Sequence, residues 1–373
     1  MTTIHWTEGD APQSALWHSE NGAPAPRRVV VADDRMTADA AHRLACEGTA
    51  LLWRGDYPGA RQLLQAMGRR IDRKPAPRGK DLAESFHLHR RSRSHRARVL
   101  GHLLVVLEAD HTLALRRAPE VREACTEAYG PSTAPRAVAL TELQGVIGAH
   151  QWRLKGVEIP ALGARIHPHY GVFSPVRGEY IDLVAEAPLP AAAVGGTAFD
   201  LGTGTGVLAA VLARRGIGRV VATDISPRAL VCARENIAAL ELSGQVDVQG
   251  PDLFPDGRAD LVVCNPPWIP ARPTSVVELG VYDDGSGMLR AFLDGLTAHL
   301  SPGGEGWLVL SDLAERLGLR RREELSARIE AAGLRVVDRT DTRPRHPRAR
   351  DSSDPLHAAR AAEVTSLWRL APA

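Results

Sequence analysis

Four consecutive residues carry the most specific chemistry in the chain: Asn265, Pro266, Pro267 and Trp268. Two prolines have no N–H to donate, so this turn offers carbonyl oxygens in a rigid frame, and the Asn265 side chain adds another acceptor. Such a site accepts hydrogen bonds from an NH2 group. An amino nitrogen donating to Asn265 Oδ1 and to the Pro266 carbonyl would turn its lone pair toward an electrophile, and orientation would supply much of the rate. Trp268 adds a flat face for a planar amide or base, and its π cloud tolerates positive charge developing on the nitrogen. Alone, the tetrapeptide reads equally well as a stiff loop whose Trp fills the core. The residues upstream decide between the two.

Phe199 to Gly206 reads F-D-L-G-T-G-T-G, an acid ending a strand, then Gly202, Thr203, Gly204 and Gly206. Glycines here let the backbone turn tightly and approach a ligand closely. The spacing is not the G-x-G-x-x-G of a dinucleotide fold. Asp200 is expected to face whatever binds, where an acid suits a ligand carrying an ammonium group. Eighteen residues past Gly206, Asp224 ends the next strand in V-V-A-T-D-I-S-P, where a carboxylate can take both ribose hydroxyls. Asp252 in P-D-L-F follows the third strand, placed for an adenine amino group. Each signal alone is a tight turn or a helix cap. In order, at the ends of successive strands, they point to an adenosine-bearing cofactor.

The elements that must hold these loops are legible downstream of Pro188. Apolar runs at 197–201, 220–223, 246–248, 261–264 and 307–310 alternate with helical segments, the mark of a parallel α/β sheet. One helix runs from Val207 to Arg215 and stops at Gly216; the next has Ser226 as N-cap, Pro227 at its first position, and Leu230, Ala233, Ile237 and Leu240 as its buried stripe. Strands at 334–337 and 364–370 complete a Rossmann-like, seven-strand doubly wound α/β sheet. Between them an Arg-rich 339–350 connection, with Arg343, Arg345, Arg348 and Arg350, is long enough to be functional or mobile.

A chain of 373 residues accommodates two domains. Residues 1–36, rich in Pro, Gly, Ala and acids, read as a loosely ordered N-terminus. Residues 37–165 read as a mainly helical, partly basic substrate-recognition domain, and 166–373 as the cofactor domain. Leu44, Leu51, Leu52, Leu63, Leu64 and Met67 recur at helical spacing broken at Gly55 and Pro58, which suggests two helices. A loop is expected from Pro75 to Lys80. Ser85 to Leu107 fits a helix feeding a strand or one long helix, and Val157 to Ile166 a hairpin.

Net charge is +2, yet Arg61 to Leu100 carries twelve Arg and Lys against three acids. Arg90, Arg91, Arg93, Arg96 and Arg98, near His87, His89 and His95, would serve a phosphate backbone, so nucleic acid bound through 61–100 is one candidate partner. A solvated basic helix face is the plainer reading. Cys46, Cys125, Cys232 and Cys264 lie far apart and read as reduced, mostly buried thiols. No metal is expected, because neither His87 with His89 nor His167 with His169 has a third ligand at useful spacing. No leader and no membrane-spanning stretch is apparent, so the expectation is a soluble, cytoplasmic protein with no membrane partner. Oligomeric state is not readable.

These residues resemble the class I methyltransferases, and more narrowly the HemK-type glutamine methyltransferases that modify peptide chain release factors. The likeness runs from about Gly171 to Asp312 and takes in D-L-G-T-G-T-G, T-D-I-S-P with A-R-E-N-I, D-L-F, N-P-P-W-I-P, and G-S-G-M-L-R-A-F-L before S-P-G-G. That family usually has N-P-P-Y, so Trp268 is a conservative departure. F-S-P-V-R-G-E-Y at 173–180 looks like a loose counterpart of the family's lip, which would make Arg177 and Glu179 contacts. The first 165 residues carry no motif of the family.

The resemblance implies an N-methyltransferase that uses S-adenosyl-L-methionine. Asp200, Gly202, Thr203, Gly204, Gly206, Asp224, Ile225, Asp252, Leu253 and Asn265 would hold the cofactor, and Asn265, Pro266, Pro267 and Trp268 would be catalytic. The acceptor would be a planar amide or amino nitrogen on a macromolecule, protein or RNA, with a protein glutamine side chain foremost. Similar enzymes with N-P-P-aromatic motifs methylate adenine N6 or guanine N2 in RNA or DNA. A small-molecule acceptor and a non-catalytic cofactor-binding module are the remaining readings, and the intact Asn265 to Trp268 motif argues against the last.

Overall fold

Residues 3–8 alternate outward and inward side chains with period two, and the chain turns back after Gly9 to form a hairpin. The computed structural model describes residues 2–73, 79–275, 277–345, 351 and 354–373. Two units divide the chain: Met1–Gly79 with His87–Gln151, and Lys80–Phe86 with Trp152–Ala373. In the first, β1 (Thr3–Glu8) sends Ile4 and Trp6 into the core and pairs antiparallel with β2 (Ala11–Trp17). With β3 (Arg28–Ala32), β4 (Thr49–Trp53), β5 (Leu103–Leu107) and β6 (Arg136–Ala139) they form a six-stranded sheet in the order β1-β2-β6-β5-β4-β3. The expected loose N-terminus is thereby corrected: residues 1–36 supply three of the six strands.

Helices α1 (Ala38–Cys46), α2 (Tyr57–Asp72), α3 (Leu82–Leu100), α4 (Arg122–Tyr129) and α5 (Leu140–Lys155) accompany this sheet. The helices expected across 37–165 are present, but the sheet they accompany was not anticipated. Leu51 and Leu52 belong to β4, which is buried at all five positions and pairs parallel on both sides. A strand buried on both faces loses its alternation, and over so short a run it looks like the buried stripe of a helix. Ser85 to Leu107 resolves as a helix feeding a strand, with the first turns of α3 assigned to the second unit.

The second unit opens with the expected hairpin, β7 (Val157–Ile159) and β8 (Ala164–Ile166). Its main sheet comprises β9 (Thr197–Leu201), β10 (Arg219–Thr223), β11 (Val246–Gln249), β12 (Ala259–Cys264), β13 (Leu300–Ser311), β14 (Leu334–Thr342) and β15 (Thr365–Pro372). The order is β11-β10-β9-β12-β13-β15-β14; the first five run parallel, and β15 is antiparallel to both neighbours. Helices α6 (Glu179–Glu186), α7 (Val207–Arg214), α8 (Pro227–Ala239), α9 (Gly287–His299), α10 (Leu313–Arg316), α11 (Arg322–Ala331) and α12 (His357–Ala361) complete it.

Successive strand residues feed two apolar layers. Ala198, Val220, Leu261, Val263 and Trp307 pack with residues of α6, α7 and α8; Phe199, Val221, Val262, Cys264 and Leu308 pack with residues of α9 and α11. This is the expected Rossmann-like, doubly wound sheet. Ser226 caps α8 with Pro227 at N1, as its sequence indicates. The strand order reverses between β9 and β12, and open α/β sheets bind ligands in the crevice beyond the strand ends at such a switch point. Arg348 and Arg350 of the Arg-rich connection, and Pro75 to Arg78 of the expected loop, lie outside the described residues. Among those described, no helix is long and apolar enough to cross a membrane.

Candidate active site

Gly202, the first residue beyond β9, has φ +71°, and a Cβ there would stand 2.4 Å from Met288 Cε. Only glycine meets both conditions cheaply. The loop is then stitched to its neighbour. Thr203 N donates to the Thr223 carbonyl at 2.8 Å and Gly204 N to Asp224 Oδ2 at 3.0 Å. Above Gly204 the space is open for 4 Å around a built Cβ. Gly206 is the N-cap of α7.

Asp200 does not face outward as expected. It is 1% exposed, and its Oδ2 accepts from Thr203 Oγ1 at 2.6 Å and from Ala209 N at 3.0 Å. Burial pushes its carboxyl up to about 6, against the pull of those two hydrogen bonds. Asp200 is the penultimate residue of β9, inside the sheet, so the acid holds the shape of the glycine loop from beneath.

Asp224 sits at the surface of the crevice, half-buried. Its Oδ1 accepts from Ser226 N at 2.8 Å, its Oδ2 takes the Gly204 N–H, and desolvation raises its carboxyl above the usual range. Ile225 beside it is 72% exposed, an unusual place for an aliphatic side chain. Thr223 Oγ1 donates to the Leu253 carbonyl at 2.6 Å, which ties in the third loop, where Asp252 is exposed. The three cofactor segments read from sequence therefore meet along one edge of the sheet.

Cys264, the last residue of β12, pairs with Leu201, the last of β9. Asn265 and Gly202 thus leave neighbouring strands side by side at the switch point. Trp268 Nε1 donates to Asn265 Oδ1 at 2.8 Å. The Asn265 oxygen is therefore not wholly free, as the sequence suggested; one of its two acceptor positions remains for an incoming N–H. Pro266 is buried, Pro267 half-buried, and the half-buried Trp268 packs against both apolar layers and against the Phe86, Ile269 and Leu313 cluster. Cys264 is buried, and burial pushes its thiol well above the usual range, so it is no nucleophile at neutral pH.

Asp283, Met288, Ser311 and Glu363 escaped the sequence reading. Asp283 donates its N–H to the Ile269 carbonyl at 2.9 Å, and its carboxylate accepts from Met288 N and Leu289 N, so the loop after Trp268 is tied to the start of α9. Met288 from that first turn is the side chain over Gly202. Arg177 stands 6.0 Å from the Trp268 ring centroid and donates to Glu363 Oε1 at 3.3 Å; Ser311 Oγ donates to the same oxygen at 2.7 Å. Y-D-D-G-S-G-M carries a readable capping signal at Asp283, whereas Glu363, fully buried, has nothing around it in sequence to mark it. Glu179 is turned instead to the backbone N–H of Arg345. Among the described residues no group of three or more His, Cys, Asp or Glu is arranged to hold a metal ion.

A family model, the methyltransferase small domain, matches residues 163–319. A release factor glutamine methyltransferase of Cereibacter sphaeroides is 36% identical over 156 residues, covering 38% of this chain and 53% of that protein. Another, from Gloeobacter violaceus, is 30% identical over 203 residues, covering 50% of this chain and 67% of that protein. A ribosomal protein L11 methyltransferase of Pelotomaculum thermopropionicum is 37% identical over 150 residues, 39% of this chain and 41% of that protein. The chain spans about half the length of the curated relatives it matches first. A crystal structure of ribosomal protein L11 methylase from Lactobacillus delbrueckii subsp. bulgaricus aligns with 52% of this chain and 79% of that one at 20% identity, TM-score 0.35.

Proposed function

We propose, from the premise that this chain belongs to the HemK-type class I S-adenosylmethionine-dependent methyltransferases, that it methylates a planar amide or amino nitrogen, with a protein glutamine side chain as the acceptor. The single observation that carries the reading is the junction of Gly202 and Asn265 at the ends of paired strands, because a cofactor held by the first loop and an acceptor held by the second would then share one crevice.

The residues fit S-adenosylmethionine. Asp224 is a partly exposed carboxylate suited to a ribose diol, Ile225 is a bare apolar surface suited to an adenine face, and the open space over Gly204 admits close approach to backbone. Leu253 and Asp252 would complete the adenine end, and Asp200 and Thr203 would act by fixing the glycine loop. When bound, the cofactor supplies a sulfonium methyl group for displacement.

The chain's own residues have the task of orienting the acceptor. Asn265 Oδ1 keeps one acceptor position, the Pro266 carbonyl offers another, and together they would hold an NH2 group so that its lone pair faces the methyl. The Trp268 N–H fixes which way the Asn265 amide points. Arg177 beside the Trp268 ring, anchored on buried Glu363, would keep the indole in place. No residue near the motif is required as a strong base, since the nitrogen loses a proton readily once alkylated.

Relatives named release factor glutamine methyltransferase support a glutamine acceptor, and one named for ribosomal protein L11 supports a protein acceptor in general. The test is transfer of labelled methyl groups from S-adenosylmethionine into a cell extract, followed by protease or nuclease. Label lost to protease and recovered as methylglutamine supports the reading. Label lost to nuclease, or recovered only in small molecules, overturns the acceptor.

A further inference from the structure

Residues 57–73 and 82–100, which span α2 and α3, hold nine arginines, no lysine and two acids, in a chain whose net charge is only +2. The rest of the molecule is therefore net acidic, and the positive charge is segregated. We infer that the arginine face formed by α2 and by the part of α3 in the first unit docks the phosphate backbone of a nucleic acid. This inference stands apart from methyl transfer and uses none of the residues assigned to it.

The two helices lie against each other: Arg96 reaches across Gly68, where a Cβ would sit 2.7 Å from its Nη2, and pairs with Asp72 at 3.0 Å. Arg70 pairs with Asp39. Those contacts use up Asp72, the only acid on α2. Arg61, Arg69, Arg73, Arg91 and Arg93 are left exposed, and none makes an ion pair among the described residues. Arg98, also exposed, meets only the His95 ring, at 3.0 Å. At the end of α2, Arg69 and its C-cap Arg73 stand four residues apart, about 6 Å at a helical rise of 1.5 Å per residue. Like charges at that spacing repel by a few tenths of a kcal/mol per pair, a cost that a polyanion would reverse.

The chemistry favours a nucleic acid over other anions. Every cation in the two helices is a guanidinium, whose planar fork matches phosphate in a bidentate way that an ammonium does not. A helix that lies on a membrane interleaves large apolar side chains with its cations. Neither α2 nor residues 87–100 of α3 exposes one.

Full-length protein is titrated against a short fluorescein-labelled RNA strand of mixed sequence, and the DNA strand of the same sequence, with polarisation read from about 50 to about 200 mM KCl. Five phosphate contacts on a single strand predict a slope of log affinity against log salt near −3.5, about a 100-fold loss over that range. The triple variant Arg69→Gln, Arg91→Gln, Arg93→Gln is expected to flatten the slope by about 2 and weaken low-salt binding at least ~10-fold, while Arg335→Gln, an exposed arginine outside both helices, changes neither. The corresponding triple Lys variant retains most of the slope, which separates charge from any loss of folding. Tighter binding of one strand assigns the source as RNA or DNA. A flat salt dependence, an unaltered slope in the Gln variant, or equal binding of polyglutamate or of anionic vesicles overturns the inference.

Discussion

Trp268 Nε1 and Asn265 Oδ1 share a single hydrogen bond of 2.8 Å, and the proposed chemistry depends on where that amide oxygen points. Trp268→Phe keeps a ring but removes the donor. We expect kcat to fall by about tenfold, the worth of one positioned hydrogen bond, with cofactor affinity unchanged; steady-state kinetics beside a cofactor titration would show it, and an unaltered kcat would mean the indole only fills space. Asp200 gives a second test at this scale. Its carboxyl is raised to about 6 from an ordinary 3.8, so the fold favours the protonated form, and the stability it contributes is full below pH ~4 and lost as pH climbs through ~6. Asp200→Asn keeps an acceptor for Thr203 and Ala209 without the charge. It should be more stable than the wild type at pH 8 by on the order of 1–3 kcal/mol and less pH-dependent between 4 and 6. Urea midpoints that shift with pH in parallel for both proteins would reject this. Sequence put Asp200 in a strand and Trp268 in the loop after another, as the structure does, but neither the inward turn of Asp200 nor the indole bond has a signature in residue type. Both arise from packing around a strand end.

The glycine loop, the Trp268 loop and the start of α9 act as one assembly, because Met288 covers Gly202 while Asp283 ties α9 to Ile269. Gly202→Ala should therefore cost twice. The left-handed backbone alone is about 1–2 kcal/mol for an L residue, and the methyl group meets Met288 as well. Adding Met288→Ala should recover the second part and leave the first, as denaturant unfolding of the single and double variants would show; no recovery would mean Met288 yields freely. At this scale the sequence was informative wherever punctuation was strong. D-L-G-T-G-T-G, S-P at the start of α8 and the alternating apolar runs placed strands β9 to β13 with their helices. It was less informative where a strand is buried on both faces, as in β4, and where a genuine period-two signal, Ile4 and Trp6 before the Gly9 turn, lay among prolines that suggested disorder.

At the scale of the whole chain, the second unit does not begin at one point in the sequence, for it also takes Lys80–Phe86, the start of α3 with the two residues before it. Phe86, 2% exposed, fills a cluster with Ile269, Leu313, Leu317 and Leu356, next to Trp268. Phe86→Ala should destabilise by roughly 3–5 kcal/mol through the cavity it leaves, read as a lower urea midpoint with unchanged slope. An effect below ~1 kcal/mol would show that the cluster collapses around the gap. No periodicity could have assigned Phe86 to a distant unit, since its helix is continuous in sequence and its partners lie about two hundred residues on. In the proposed function that unit's two loops divide the work: Asp224 and the glycines would hold the cofactor, and Asn265 would hold the acceptor. This division is tested most directly by titrating S-adenosylmethionine calorimetrically into the wild type and Asn265→Ala while measuring labelled methyl transfer by each. Dissociation constants within about threefold and at least a ~100-fold loss of transfer in the variant are expected, since the substitution would remove only the proposed acceptor contact. Equal transfer by the two proteins, or no cofactor binding by the wild type, would contradict it.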